Sequence, residues 1–407
     1  MNAKNMTNLS VIGKNVGVLP VPSSVAAPGV NDFSPLGLLP FASHRQRKDS
    51  GVRDRPGFFA ALAHRLLGRD RGEAEAGLYP WETLPLLIAV HRGQVLVAIT
   101  ETGSRGNELP IPLNLADFYS LKAQHWLTYS QSDRHRDADL LFAGVLKCDG
   151  EKTPVLALTG GFERFLEFGA ESLNLQGCEQ RERAIVELLA TQTGGQWVSV
   201  RDYAAYGYEG RGAAFAWGEP LSAAVALANW HSSSGFDPAT GEPTYAKRAG
   251  WVRVTDTGRE LFPRTDPAVI TAVISDVGGE QKLLLGQART WGRGRFSTFA
   301  GFVEGGESLE DALLREVWEE SGGNVVASCY LGSQPWPFPR SLMCGFIARI
   351  DNPQEVRADG AEIERVRWFS RSELLAAHSS GEVRLPGPSS ISRRLIEYWL
   401  GEPLPQI

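Results

Sequence analysis

Cysteine is scarce in this chain, and its spacing excludes more than its number does. The four are Cys148, Cys178, Cys329 and Cys344. No two stand at C-x-x-C spacing, which offers neither a zinc ribbon nor a secreted disulfide framework. A reduced, cytoplasmic compartment is the expected setting. Long apolar runs are also missing. The best, Leu84–Val90, falls well short of the ~18 residues that cross a bilayer, so no membrane partner is expected. Positive charge is not in excess either. A formal charge of −6 argues against a broad basic nucleic-acid surface, though not against a small charged ligand. Apolar matter, by contrast, is plentiful at 43% of 407 residues, with 11 Trp and 18 Phe. That excludes wholesale disorder, and at ~150 residues per domain the length suggests roughly two or three domains.

Residues 1–55 stand apart, with one acid, Asp32, before residue 49. Lys14, Pro20 and Pro22 interrupt any apolar stretch and argue against a secretory signal, while the basic residues gather late, at His44–Lys48. This segment reads as a disordered tail. Residues 56–230 read as an α+β domain. A helix is expected over Phe58–Leu67, and hairpins around His91–Gln94 and around Asp149-Gly150. Helices follow at Arg181–Thr191 and Ser222–Trp230, with a strand at Trp197–Arg201. Residues 231–265, dense in Gly, Pro, Ser and Thr, form a connector. Residues 266–407 make a further domain. Strands Ala268–Asp276 and Lys282–Gln287 flank Gly278-Gly279, strands follow at Ser341–Ile350 and Arg365–Phe369, and a helix closes it at Ser390–Leu400.

Chemistry concentrates in GFVEGGESLEDALLREVWEESG, from Gly301 to Gly322, with seven acids against one base. Ser308 and Asp311 predict a helix start, and Gly322-Gly323 its end. At about 100° per residue, Glu316, Glu319 and Glu320 share a sector with Leu309, Ala312 and Leu313, so this face should turn inward. A solvated charged face is the blander reading. Against it, Glu316 and Glu320 repel by ~0.2–0.5 kcal/mol with no Lys or Arg at i±4 to relieve them. Clustered hard oxygens facing a cleft ask for Mg²⁺ or Mn²⁺. Downstream, the alternating prolines of SQPWPFPRS, Ser333 to Ser341, predict a stiff extended loop. Its Trp and Phe are equally suited to stacking on flat rings or to filling core.

Gly301, Glu307, Arg315-Glu316, Val317, Glu319-Glu320 and Gly322, at their spacing, resemble the Nudix box. One departure stands at its end, where Gly323 replaces an aliphatic residue and puts local rigidity in doubt. SQPWPFP-x-S after such a box resembles the NADH pyrophosphatase subfamily of Nudix hydrolases. Phe262–Ile270, Ala228–His231 and Ser392–Glu397 agree with it, and the likeness runs clearly from about Trp197 onward.

The resemblance implies an αβα sandwich in the C-terminal domain, a Nudix-like α+β domain before it and a hairpin connector between them. It implies metal ligation by Glu316, Glu320, Glu362 and the carbonyl of Ala300, with Glu319 sharing the cluster. Glu307 belongs to the same box, and Arg315 would hold the carboxylates in place. Gln334, Pro335, Trp336, Pro337, Phe338, Pro339, Arg340, Ser341 and Phe262 would line a dinucleotide pocket, with Ser392 near its nicotinamide end. Arg201 is a candidate to reach the substrate, and Phe302 to stack on it or to fill core. The implied reaction is NAD(H) plus water giving NMN(H) and AMP, with the base in the Glu319/Glu320 pair. Removal of NAD caps from RNA and a homodimer are implied on the same footing. The subfamily's four zinc cysteines are missing, since Asp237 and Thr240 stand where the first pair should be. The connector is therefore expected to fold without zinc, with His231 a packed junction residue. A Nudix enzyme for ADP-ribose or an oxidised nucleotide, and a non-catalytic nucleotide-binding module, are the alternatives.

Overall fold

The computed structural model describes residues 17–18, 85–101, 108–115, 139–148, 151–162, 178–210 and 217–405. The tail over 1–55, the helix at Phe58–Leu67 and the Asp149-Gly150 turn lie outside the described residues, except for a short strand β1 (Gly17–Val18). The chain divides into two compact units. One holds the described residues up to Thr265 together with Pro335–Ser341; the other holds Asp266–Gln334 and Leu342 onward, with β1.

In the first unit, strands β2 (Leu86–His91), β3 (Gln94–Glu101), β4 (Glu108–Pro112), β5 (Leu140–Cys148) and β6 (Glu151–Leu158) form a sheet in the order β4-β3-β2-β6-β5. The two expected hairpins are β2–β3 and β5–β6. Alternation along β2 sends its side chains to both faces. Leu87 and Ala89 pack with Ile185, Val186 and Leu189 of helix α1 (Cys178–Thr193). Ile88 and Val90 pack with Tyr203 and Ala204 of α2 (Val200–Gly210) and with Leu221 and Val225 of α3 (Gly218–Ser233). Both faces are thereby covered.

The expected strand Trp197–Arg201 is corrected. Strand β7 (Gln196–Ser199) stops where the Ser199 hydroxyl accepts the Arg201 N–H at 3.2 Å and caps α2, which puts Arg201 on the first turn of a helix.

The connector forms a three-stranded antiparallel sheet of β8 (Thr244–Lys247), β9 (Val252–Thr255) and β10 (Glu260–Leu261). Asp237 is buried, accepts the Ala239 N–H at 2.8 Å and pairs with Arg259 at 2.9 Å. Buried Arg253 donates to the Thr244 hydroxyl (2.7 Å) and carbonyl (2.8 Å), and to His231 Nδ1 at 2.9 Å. His231 Nε2 donates to the Gly250 carbonyl at 2.7 Å. Both ring nitrogens of His231 are engaged inside the unit, as a packed residue requires.

The second unit is a seven-stranded sheet containing β11 (Asp266–Val277), β12 (Glu280–Ala288), β13 (Phe299–Phe302), β14 (Val325–Trp336), β15 (Ser341–Ile350) and β16 (Ile363–Phe369), in the order β1-β14-β15-β11-β12-β16 with β13 on β11. Helix α4 (Leu309–Ser321) covers one face through Ala312, Leu313 and Val317. Ser308 caps it by accepting the Asp311 N–H at 3.1 Å, and Gly322 ends it at φ 67°. Helices α5 (Arg371–Ser379) and α6 (Ile391–Leu400) complete the unit. Gly323 is buried, and a Cβ there would lie 3.1 Å from Val317 Cγ1 and 3.2 Å from Ile350 Cγ2. The space of the family's aliphatic side chain is already filled, so the departure does not loosen the helix end. No helix among the described residues is long and apolar enough to cross a membrane.

Candidate active site

Helix α4 and strand β13 gather the acidic residues. Arg315 is the hub, and its five N–H groups explain why one base serves so many acids. Its Nε and Nη2 grip Glu307 at 2.6 and 2.9 Å, Nη1 reaches Glu316 at 2.8 Å and Glu319 at 2.9 Å, and Nη2 also donates to the Phe302 carbonyl at 2.9 Å. Held by Arg315, the Glu307 carboxyl is pulled down to about 2. Glu316 lies against Gly301, where a Cβ would sit 1.9 Å from its carboxyl carbon; only glycine admits that approach. Burial pushes Glu316 above the usual carboxylate range, and Glu319 and Glu362 add to the rise against the pull of Arg315.

Glu320 is the buried member, 7% exposed, and accepts the Ala300 N–H at 3.3 Å. Burial, then the charges of Glu316, Glu362 and Asp359, raise it to about 8. Glu362 is exposed beside β16, its N–H bound by the Asp359 carboxylate at 3.0 Å, and Asp359 also accepts the Ile363 N–H at 2.7 Å. Sequence reasoning missed Asp359, although an Asp-Gly turn ahead of a strand was a readable signal.

Among the described residues, no three Asp, Glu, His or Cys side chains converge into a ready-made metal centre. The hydrogen bonds explain this, because Arg315 draws Glu316 and Glu319 toward itself while Glu320 faces the Ala300 amide. The donor set nonetheless suits a hard divalent cation, being all oxygen, with a negative excess that adds to burial in raising the Glu320 carboxyl.

The expected substrate residues part into groups. Phe302 and Phe262 are exposed at 57% and 58%, so Phe302 is not the strand-end core residue that was the alternative. Two of the expected residues lie buried. Gln334 is fully buried, its amide donating to the Ser389 carbonyl at 2.9 Å and accepting from Ile391 N–H at 2.8 Å. Ser392 is 2% exposed, with its hydroxyl bound to those of Ser297 (2.8 Å) and Thr298 (2.7 Å). Both residues brace the start of α6.

The stiff loop is also corrected. Gln334, Pro335 and Trp336 finish strand β14, Pro337–Arg340 form a turn, and Ser341 opens β15. The segment Pro335–Ser341 belongs to the first unit, where Trp336 and Phe338 pack on the core beneath α2 and α3. Asn229 donates to the carbonyls of Pro337 and Pro339 at 2.9 and 3.2 Å, and the Arg201 guanidinium lies 5.0 Å over the Trp336 ring.

Comparison with known proteins agrees with this architecture. The NUDIX domain family model matches residues 265–385. A curated relative, the NAD-capped RNA hydrolase NudC of Mycobacterium bovis (strain BCG / Pasteur 1173P2), is 46% identical over 188 residues, 44% of this chain and 59% of that one. The human NAD-capped RNA hydrolase NUDT12 is 37% identical over 183 residues, 42% of this chain and 39% of that one. The chain thus spans little more than half the length of the NudC proteins it matches. A solved structure, the NUDIX domain of Shewanella oneidensis NrtR complexed with ADP ribose, is 19% identical with a TM-score of 0.29, covering 34% of this chain and 88% of that one, and carries no argument. Residues 265–385, with the box of α4 set against β13, match the NUDIX domain family model.

Proposed function

We propose that this protein hydrolyses the pyrophosphate bond of NADH or NAD⁺ to give NMN(H) and AMP, and that it removes NAD caps from RNA. The observation that carries the reading is the buried, charge-crowded Glu320 beside Glu316, both on a helix whose box is fixed by Arg315. The resemblance to NAD-capped RNA hydrolases supports the substrate class.

Glu316, Glu320, Glu362 and the Ala300 carbonyl would hold Mg²⁺ or Mn²⁺. When bound, such an ion supplies neutralisation of the pyrophosphate oxygens and a water acidified for attack on phosphorus. The Glu319/Glu320 pair would accept the proton of the attacking water. Arg315 holds Glu316 and Glu319 in the absence of a cation, and Glu316 would turn from it toward the metal on loading. Exposed Phe302, in the same unit as the carboxylates, offers a stacking surface to the dinucleotide. In the first unit, exposed Phe262 and the Arg201–Trp336 pair are further candidates for substrate contact. Pro335, Pro337, Phe338, Pro339, Arg340 and Ser341 shape the turn that carries Trp336. A cytoplasmic homodimer is part of the same proposal, and light scattering of the purified protein tests the dimer.

The deciding assay offers NADH, NAD⁺, ADP-ribose and NAD-capped RNA to the full chain with Mg²⁺ or Mn²⁺, alongside Glu320→Gln. Metal-dependent release of AMP from NADH, lost in the variant, is expected. Release from ADP-ribose alone would overturn the substrate assignment, and no release from any substrate would overturn the enzyme reading.

A further inference from the structure

A cavity of about 280 Å³ opens in the second unit, lined by Gln287, Arg293, Arg365 and Arg367 among others. Strand period fixes its side of the sheet. Leu284, Val366 and Trp368 pack with α4, so Leu285, Gln287, Arg365 and Arg367, register partners across β12 and β16, point the other way. The cavity therefore lies on the sheet face opposite the acidic helix.

Its walls are held by backbone contacts. The Arg384 N–H donates to the Gly294 carbonyl at 2.7 Å, the Phe296 N–H to the Arg384 carbonyl at 3.0 Å, and the Arg384 guanidinium to the Arg293 carbonyl at 2.9 Å. The Gly294 N–H donates to Gln287 Oε1 at 3.0 Å. Gly294 has φ +78°, and a Cβ there would stand 2.6 Å from the Glu382 carbonyl, so only glycine lets these loops meet. Buried Phe296 and Val383 supply an apolar floor.

The rim is cationic. Arg367 is compensated, stacking 4.5 Å over Phe369 and pairing with Glu382 at 2.5 Å. Glu364, the other acid at hand, accepts from Gln287 Nε2 at 3.1 Å. Arg293 and Arg365 are exposed and form no ion pair or side-chain hydrogen bond among the described residues. Two guanidiniums without an acidic partner at the mouth of a hollow match a phosphate group in charge, and each can offer it a forked pair of donors. The volume suits a small ligand.

We propose that this cavity binds a phosphate-bearing small molecule, of the class of inorganic phosphate or a nucleoside monophosphate, through Arg293 and Arg365. The site is separate from the carboxylates and does not depend on the reaction assigned to them. Arginine modification of the full-length protein by phenylglyoxal, read by peptide mass mapping, tests it at each residue. Inorganic phosphate, AMP and a short oligoribonucleotide are the added anions, and exposed Arg349 is the internal control. Phosphate or AMP should slow modification of Arg293 and Arg365 about tenfold while leaving Arg349 unchanged. In Arg365→Gln, which leaves the acidic site intact, the protection of Arg293 should weaken by a similar factor. Equal rates with and without every anion would overturn the proposal, and protection by the oligoribonucleotide alone would overturn its small-molecule form.

Discussion

Gly301 and Gly323 are both box-region glycines, yet they make opposite demands. At Gly301 a methyl group would displace the Glu316 carboxyl, which is the far end of a side chain and can move. Gly301→Ala should therefore fold normally but lose about tenfold or more in kcat, since small misplacements of reacting groups are costly. A melting curve and a steady-state assay on one preparation check both halves. At Gly323, installing the family's aliphatic residue should harm the protein. Gly323→Ile meets Val317 and Ile350 in a closed space, and overpacking there costs ~1–3 kcal/mol. A urea midpoint no lower than that of the parent would contradict this. The sequence carried the identity and spacing of these glycines, but not what each would touch. The same gap explains Gln334 and Ser392, whose polar groups read as ligand contacts until burial turned them into braces for α6. Asp359-Gly360 reads as a turn, but that its carboxylate binds two backbone amides and adds charge beside Glu320 has no residue pattern.

At the scale of elements, periodic patterns, turn residues and the caps of α4 at Ser308 and Gly322 were readable, while the Ser199 cap and the side-chain clamps were not. The hairpins β2–β3 and β11–β12 follow from alternating runs around glycine turns. Helix α2 escaped because a single hydroxyl, that of Ser199, decides whether Val200 and Arg201 continue a strand. The connector is legible as hairpins, but its interior is built from Asp237–Arg259 and from His231–Arg253–Thr244. A zinc chelator should then leave the melting temperature unchanged, and metal analysis of the purified protein should find zinc well below one per chain. The connector also predicts an acid response. Gly250 can only accept and Arg253 can only donate, so His231 is held as the neutral Nε2–H tautomer, and burial, helped by Arg253, lowers it to about 4. The unfolded chain takes up this proton near pH 6.5 and the folded one only near 4. Stability therefore falls as pH drops through that window, by up to about 3 kcal/mol, and is constant in this respect outside it. His231→Gln keeps a donor and an acceptor but cannot titrate, so its urea midpoint should fall less between pH 7 and 4.5.

For the whole molecule, the net charge of −6 conceals a separation across the second unit's sheet, with the carboxylates on the α4 side and Arg365 and Arg367 on the other. This separation sets how a polyanionic substrate should respond to salt. A protein that grips many phosphates loses affinity steeply with ionic strength, at a slope of ~0.7 per phosphate contacted on a single strand. Here Arg367 is neutralised by Glu382, which leaves Arg293 and Arg365 as the uncompensated cations at the cavity. The log of kcat/KM for NAD-capped RNA plotted against the log of salt concentration should therefore fall with a slope no steeper than about −1.4, two contacts' worth. NADH, which has no chain to extend past the carboxylates, should give a nearly flat line. In Arg293→Gln/Arg365→Gln the RNA line should stay unchanged, because the cavity serves small anions, and a line flattened to match that of NADH would overturn this. A slope several-fold steeper would require a broad basic track, which a chain with 41 basic and 47 acidic side chains was not expected to carry.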